Sequence, residues 1–182
     1  NNPEFENDRP TYELLASGKT NGVFQVESAG MKDLLIRLKP KLEQLNFEVI
    51  SVILALYRPD SMGALDEYVE MATGGSRPPS IHQDMDEILK DTNYCMIYQE
   101  QLLDIVKKFG GRTYGGADLF RKAIGKKIVE LVQKESEILR GEIVANGYSK
   151  EIADKIANEL SQKGGYLFNK SHSYSYAVLC FE

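Results

Sequence analysis

At 182 residues, 42% of them hydrophobic and 27% charged, the chain has the balance of a folded domain rather than a disordered tract. Its net charge of −5 argues against a general nucleic-acid coat, and two distant cysteines, Cys95 and Cys180, argue against a disulfide framework or a zinc site. The longest apolar run, Val49 to Tyr57, includes Ser51 and is far shorter than the roughly 20 residues that cross a bilayer, and no signal peptide is visible.

Asp8 or Arg9 followed by Pro10 predicts a helix start, since proline suits the first helical turn, and TYELLAS carries that helix to Gly18. GVFQV reads as a turn or a brief extended piece. Ser28 caps AGMKDLLIRL, in which Met31, Leu34, Leu35 and Leu38 share one face until Pro40 stops the helix. Leu42, Leu45, Val49, Val52, Ile53 and Leu56 repeat with the helical period and predict a central buried helix over 42–57. It breaks at YRPDS, where Pro59 forces Arg58 to be extended. Ser61 caps a further helix to about Ala72. TGGSRPPS is the clearest loop, and residues 73–81 are a candidate sub-boundary.

Asp84 to Lys90 is expected to be a short helix. NYCMIY leans towards a short strand or a turn. QEQLLDIVKKF is amphipathic and ends at Gly110-Gly111. Thr113 caps the next helix, which Gly125 interrupts, and a long helix is expected from Lys126 to Ala145. Ser149 starts another through Gln162, and Ser171 caps a last one. The fold class is mainly α, a multi-helical domain of eight to ten helices with short loops and at most one or two very short strands. The chain opens NNPEFEND without methionine and stops inside the apolar YSYAVLCFE without a helix-ending residue, so it is expected to be a piece of a larger protein.

The charge is unevenly distributed. From Lys107 to Lys127 there are seven basic residues and one acid, Asp118, so this window carries +6 within a chain of −5. Its end reads GGADLFRKAIGKK. Lys122 and Lys126 share a helical face, Arg121 sits beside them, and a helix start at Gly115 and Gly116 offers backbone N–H groups, a set suited to a polyphosphate. An ordinary solvated face, with Asp118 and Lys122 as an i,i+4 ion pair, fits the same letters. GGYLFNKSHSYSYA, residues 164–177, could stack a base and hold a phosphate, or could simply cap a helix beside core tyrosines. Arg58 is either a functional cation or a partner of a helix C-terminus. Tyr98, Gln99, Glu100 and Gln101 cluster at a helix start, and capping is the better account of Glu100. No catalytic set emerges from spacing.

GVFQVESAGM, ALYRP, IYQEQ, GGADLFRKAIGKK and FNKSHSYSYA occur in this order with these gaps. Together they closely resemble the C-family bacterial replicative DNA polymerases, the polymerase III alpha subunits, from about residue 10 to the end. The resemblance implies a fragment of the helical fingers, with the palm, thumb, PHP and C-terminal domains lying elsewhere. The family segment ADxLRRAMGKK, which serves the triphosphate, matches Arg121, Lys122, Lys126 and Lys127, with Lys122 in place of the second arginine. The family's RPGP matches Arg58-Pro59, with Asp60-Ser61 in place of Gly-Pro, and Arg58 joins the triphosphate group on that basis. FNKSHS matches Phe168 to Ser173 without change and suggests Asn169, Lys170 and His172 for the nucleotide or template site, together with Tyr98 and Gln99.

The resemblance implies a DNA-directed DNA polymerase as the whole protein, acting in DNA replication in the cytoplasm. Its partners would be a dNTP, template-primer DNA and, through parts outside this chain, a sliding clamp and other replicase subunits. The family's three catalytic aspartates match nothing here. The Mg²⁺ of the whole enzyme is therefore expected to be held elsewhere, and the chain alone is expected to be inactive. The competing expectation is a non-catalytic helical module that binds nucleic acid or an acidic protein through the same basic helix.

Overall fold

A computed structural model describes residues 3–40, 45–77 and 79–182. Eleven α-helices occur among the described residues, and the chain divides into two compact units, Asn1–Arg77 with Ser171–Glu182, and Pro78–Lys170. The mainly α class is therefore observed. Among the described residues the β-leaning NYCMIY forms no strand, and extended pairing is limited to one isolated parallel bridge between Tyr98 and Phe168.

The first unit holds α1 (Pro3–Glu6), α2 (Arg9–Ala16), α3 (Ala29–Leu38), α4 (Phe47–Leu56) and α5 (Met62–Ala72). It also holds most of α11 (Lys170–Phe181). Asp8 and Ser28 cap α2 and α3 with their side chains, accepting from the N–H groups of Thr11 and Met31. All four apolar residues expected on the inner face of α3 are buried. GVFQV is a turn, with Gln25 at φ 64°.

The central helix α4 is shorter than the periodicity suggested. Leu42 lies outside the described residues, and Leu45 precedes the helix. Asn46 Oδ1 accepts the Val49 N–H at 2.9 Å and fixes the start at Phe47. A capping bond satisfies one of the helix's unpaired N–H groups, and an apolar repeat carries no information about where that happens. Every residue of α4 is buried except the half-buried Glu48, as expected for an almost wholly apolar helix. Around it, Phe5, Tyr12, Phe47, Tyr174 and Phe181 form an aromatic cluster with centroid separations of 5.2–5.7 Å.

At the start of α5, Ser61 occupies the capping position without capping. Its hydroxyl instead accepts from Arg58 Nη2 at 3.1 Å. Ser171 is likewise inside the first turn of α11 rather than ahead of it, because that helix starts at Lys170.

The second unit contains α6 (Gln83–Leu89), α7 (Gln99–Gly110), α8 (Tyr114–Gly125), α9 (Val129–Ala145) and α10 (Lys150–Lys163). Its core is built on Leu102, Ile105, Val106 and Phe109 of α7, Phe120 and Ile124 of α8, Leu139 and Ile143 of α9, and Ile156 and Leu160 of α10. Each large apolar side chain buried in this way stabilises the fold by about 1.5–3 kcal/mol.

The expected helix from Lys126 to Ala145 begins three residues late. Lys126 closes α8, Lys127 takes a left-handed φ of 54°, and α9 starts at Val129. A left-handed residue breaks the i to i−4 ladder, so the two lysines form a turn between helices rather than the start of α9.

Candidate functional site

A cleft of about 810 Å³ opens in the second unit. One wall is the exposed side of α8, with Leu119, Arg121, Lys122 and Lys126. The rest of the lining comes from Leu131 and Glu135 of α9, the turn Gly164-Gly165, Leu167, and Gln99 at the head of α7.

Three local devices hold these walls together. Thr113 Oγ1 accepts the Gly116 N–H at 3.2 Å and fixes the start of α8. The turn Gly164–Tyr166 lies so close to α8 and α7 that a Cβ on Gly164 would stand 2.8 Å from Ile124 Cγ2 and 3.0 Å from Leu102 Cδ1, so any larger residue would force those side chains to shift. Beyond the turn, Phe168 donates its N–H to Ile97 and accepts from the Gln99 N–H, both at 2.9 Å. These bonds bind the head of α7 to the segment leading into α11.

The head of α7 is organised by Gln101 rather than by Glu100. The buried Gln101 Oε1 accepts the N–H groups of Ile97 and Tyr98, each at 2.9 Å, and its Nε2 donates to Thr92 Oγ1 at 2.7 Å. Glu100 turns the other way, and its carboxylate accepts the Lys170 N–H. Glu100 thus accepts from the first residue of α11, while its charge also suits the first turn of its own helix.

The +6 window does not become a +6 surface. Arg112 Nε donates to Glu142 at 2.7 Å and Nη1 meets Glu135 at 3.3 Å, while the guanidinium lies over the Phe120 ring at 5.4 Å. Lys107 pairs with Asp104, and Lys108 with Asp84. The remaining four cations are Arg121, Lys122, Lys126 and Lys127. Asp118 Oδ1 receives Arg121 Nε at 2.9 Å and Nη2 at 2.8 Å, and its Oδ2 receives Lys122 Nζ at 2.8 Å. Those hydrogen bonds, first from Lys122 and then from Arg121, hold the Asp118 carboxyl below its usual pKa. Lys126 is exposed and meets no carboxylate among the described residues. Lys127 Nζ stands 4.1 Å from the centroid of the Tyr166 ring.

Of the residues singled out in the sequence, Arg121, Lys122, Lys126 and Gln99 line the cleft, and Lys127 stands beside Gly165 at its edge. Tyr98 is fully buried, with Lys170 Nζ 5.4 Å from its ring centroid, and Asn169 is half-buried one residue earlier. Arg58 and His172 belong to the first unit. Arg58 Nε donates to the Ala55 carbonyl at 2.8 Å near the C-terminal end of α4, and burial pulls its pKa below the ordinary value against the opposing effect of Asp60. His172 is exposed, with its ring 5.9 Å from that of Tyr176. Among the described residues, no group of three or more His, Cys, Asp or Glu side chains could hold a metal ion.

The sequence did not point to Leu119, Leu131, Glu135 or Leu167 as lining residues, although Gly164-Gly165 and Leu167 fell within the stretch 164–177 singled out for a base or phosphate. The glycine pair Gly164-Gly165 was the available signal for a close approach.

The family model described as the bacterial DNA polymerase III alpha subunit finger domain matches residues 4–147. The chain belongs to that family. Similar relatives are the DNA polymerase III alpha subunits of Halalkalibacterium halodurans, 39% identical over 176 residues, and Rickettsia conorii, 38% identical over 182. That of Aquifex aeolicus is 38% identical over 177 residues. These matches cover 97%, 100% and 96% of this chain, and the chain spans about 15% of the length of each relative. The finger-domain match takes in α8 and most of the cleft. The turn at Gly164–Tyr166 falls beyond it but inside the alignment with the Rickettsia relative. No helix among the described residues is long and apolar enough to cross a membrane.

Proposed function

We propose that this chain is the fingers portion of a bacterial replicative DNA-directed DNA polymerase, and that its cleft receives the triphosphate of the incoming dNTP. The observation that carries this reading is the convergence of Arg121, Lys122 and Lys126 on one wall of a cleft, with Lys127 at its edge, in a chain of the finger-domain family. Arginine offers a rigid fork and lysine a point charge, and both stabilise phosphate oxygens best in a partly enclosed cleft where water screens them less.

In nucleotide addition a primer 3′-hydroxyl attacks the α-phosphorus and pyrophosphate leaves. Cations that face the β- and γ-phosphates orient the substrate and stabilise the charge that gathers on the leaving group. Gln99, Asn169, Lys170 and His172 are the proposed contacts to the nucleotide or template, and Arg58 an added phosphate contact, whereas the fully buried Tyr98 ring is proposed only to position Lys170. The Mg²⁺ of the whole polymerase is proposed to be held by carboxylates outside this chain, since the family's three catalytic aspartates match nothing in its sequence. Template-primer DNA, a sliding clamp and other replicase subunits are its proposed partners, and the cytoplasm its proposed location.

The test is Arg121→Glu in the intact polymerase. The expected result is a raised KM for dNTPs or a depressed kcat, with template-primer affinity little changed. If only DNA affinity and its salt dependence moved, the triphosphate assignment would be wrong and the cleft would be a DNA-backbone contact.

A further inference from the structure

We propose that Arg112 is a positioning residue of the cleft, which it keeps receptive to a polyphosphate by restraining the carboxylate of Glu135. This rests on the reading of the cleft as the triphosphate site. Glu135 is the one acidic residue that lines the cleft among the described residues. Three cations line it too, Arg121, Lys122 and Lys126. Asp118 already answers one of those charges, since its single carboxylate receives both Arg121 and Lys122. An unrestrained Glu135 would answer a second, and would turn a like charge towards any phosphate that enters.

Arg112 is not part of the lining and acts on it through Glu135. Its Nη1 stands 3.3 Å from Glu135 Oε2, and its Nε donates to Glu142 Oε2 at 2.7 Å. The guanidinium also lies over the ring of the fully buried Phe120. The backbone before it is set by the turn out of α7, where Gly111 takes a left-handed φ of 67° and Asn146 Nδ2 donates to the Phe109 carbonyl at 2.9 Å. The arginine is therefore a fixed post, and its rigid fork ties down a carboxylate on each branch. The side chains of Arg112 and Glu135 are 13% and 22% exposed, so water screens the pair weakly. Without the arginine, Glu135 is a tethered anion in the same cleft as the three cations. It then competes with the nucleotide for them at the high effective concentration of a linked group, as well as repelling it.

The experiment measures KM and kcat for dNTPs in the intact polymerase carrying Arg112→Gln, Glu135→Gln, or Arg112→Gln joined to either Glu135→Gln or Glu142→Gln. Glutamine keeps side-chain N–H donors and removes the charge. Arg112→Gln is expected to raise KM about fivefold with kcat little changed. Glu135→Gln alone is expected to move KM by less than about twofold, because the arginine already restrains that carboxylate. In the Arg112→Gln background, Glu135→Gln is expected to return KM to within about twofold of the wild type, a recovery larger than its effect alone. Glu142→Gln relieves the same crowding of carboxylates but changes no lining residue, and is expected to leave KM raised. An unchanged KM in Arg112→Gln would overturn the proposal. So would equal recovery in the two double variants, recovery in neither, or a recovery no larger than the effect of Glu135→Gln alone.

Arg121→Glu, measured alongside, separates this outcome from failure of the site itself. If it raises KM or depresses kcat while Arg112→Gln changes neither, only the role of Arg112 fails. If it moves DNA affinity alone, the cleft is not the triphosphate site and both readings fail.

Discussion

Both oxygens of the Glu100 carboxylate lie within hydrogen-bonding distance of the Lys170 N–H, at 3.3 and 3.1 Å, across 70 residues of sequence. The bond fastens the end of FNK to the head of α7, next to the Tyr98–Phe168 bridge. Glu100→Ala should remove it at a cost of about 1 kcal/mol, because the freed N–H is half-buried and regains water only in part. Hydrogen exchange would show the Lys170 and Phe168 amides losing protection while the α9 and α10 amides keep theirs. Equal loss in all of these would mean that Glu100 supports the whole unit rather than this junction.

Gln101 should matter more. It is buried and makes three hydrogen bonds, accepting from two backbone N–H groups and donating to the Thr92 hydroxyl. Gln101→Ala removes all three from a buried site. A loss of about 2–4 kcal/mol in urea unfolding is expected, larger than for Glu100→Ala. Equal losses would show that the head of α7 accepts water.

Features carried by local spacing were legible in the sequence, and those carried by distant partners were not. Ser28, Thr113 and Ser149 could be read as caps because each acts on an N–H three residues ahead. The Asp118–Lys122 pair was legible for the same reason. Asn46 was hidden because the apolar repeat runs straight past it into Leu45, and His82, which caps α6 through Nδ1, belongs to a residue type rarely read as a cap. Arg112 counted towards a basic patch until folding brought Glu135 and Glu142 to it from 23 and 30 residues away. The Glu100–Lys170 bond was invisible for the same reason. Spacing also could not show that Lys127 turns left-handed, which is what takes Lys126 and Lys127 out of α9.

Arg112 is the ion pair most worth breaking. Its side chain is only 13% exposed, it joins α9 through two carboxylates, and it covers Phe120. Arg112→Ala should destabilise the second unit by about 1–3 kcal/mol, well above the typical surface pair, through lost packing as well as lost charge. Arg112→Lys should recover little, since a lysine cannot donate to both carboxylates in the same plane or lie flat on the ring. Full rescue by lysine would reduce the clamp to simple charge balance.

Burial pushes the Cys180 thiol up to about 11 from an ordinary value of 9.0. Below that ordinary value the folded and unfolded chains hold the proton alike. Between about 9 and 11 the unfolded chain releases it while the folded chain keeps it, so stability falls as pH rises through this window. Tyr12, also raised by burial, acts in the same direction from its ordinary value of 10.0 upward, so its effect overlaps the upper part of this window. Urea unfolding across pH 8 to 11 should therefore show a decline that Cys180→Ala makes shallower without abolishing. Parallel curves would mean that the thiol meets water in the folded state.

The sharpest contrast lies between two pairs of neighbouring lysines. Lys107-Lys108 and Lys126-Lys127 look alike in the sequence and contribute equally to its basic window. In the fold, Lys107 and Lys108 are paired with Asp104 and Asp84, whereas Lys126 lines the cleft and Lys127 stands at its edge. Charge acts over about 8–10 Å at moderate ionic strength, so a lysine already paired outside a cleft adds little to the field within it. In the intact polymerase, Lys107→Ala with Lys108→Ala should leave the KM for dNTPs within about twofold of the wild type. Lys126→Ala with Lys127→Ala should raise that KM by about tenfold or more, the loss of two partly enclosed charge contacts to the triphosphate. Equal effects from the two pairs would mean that the overall field of the window attracts the nucleotide and that the cleft does not hold it.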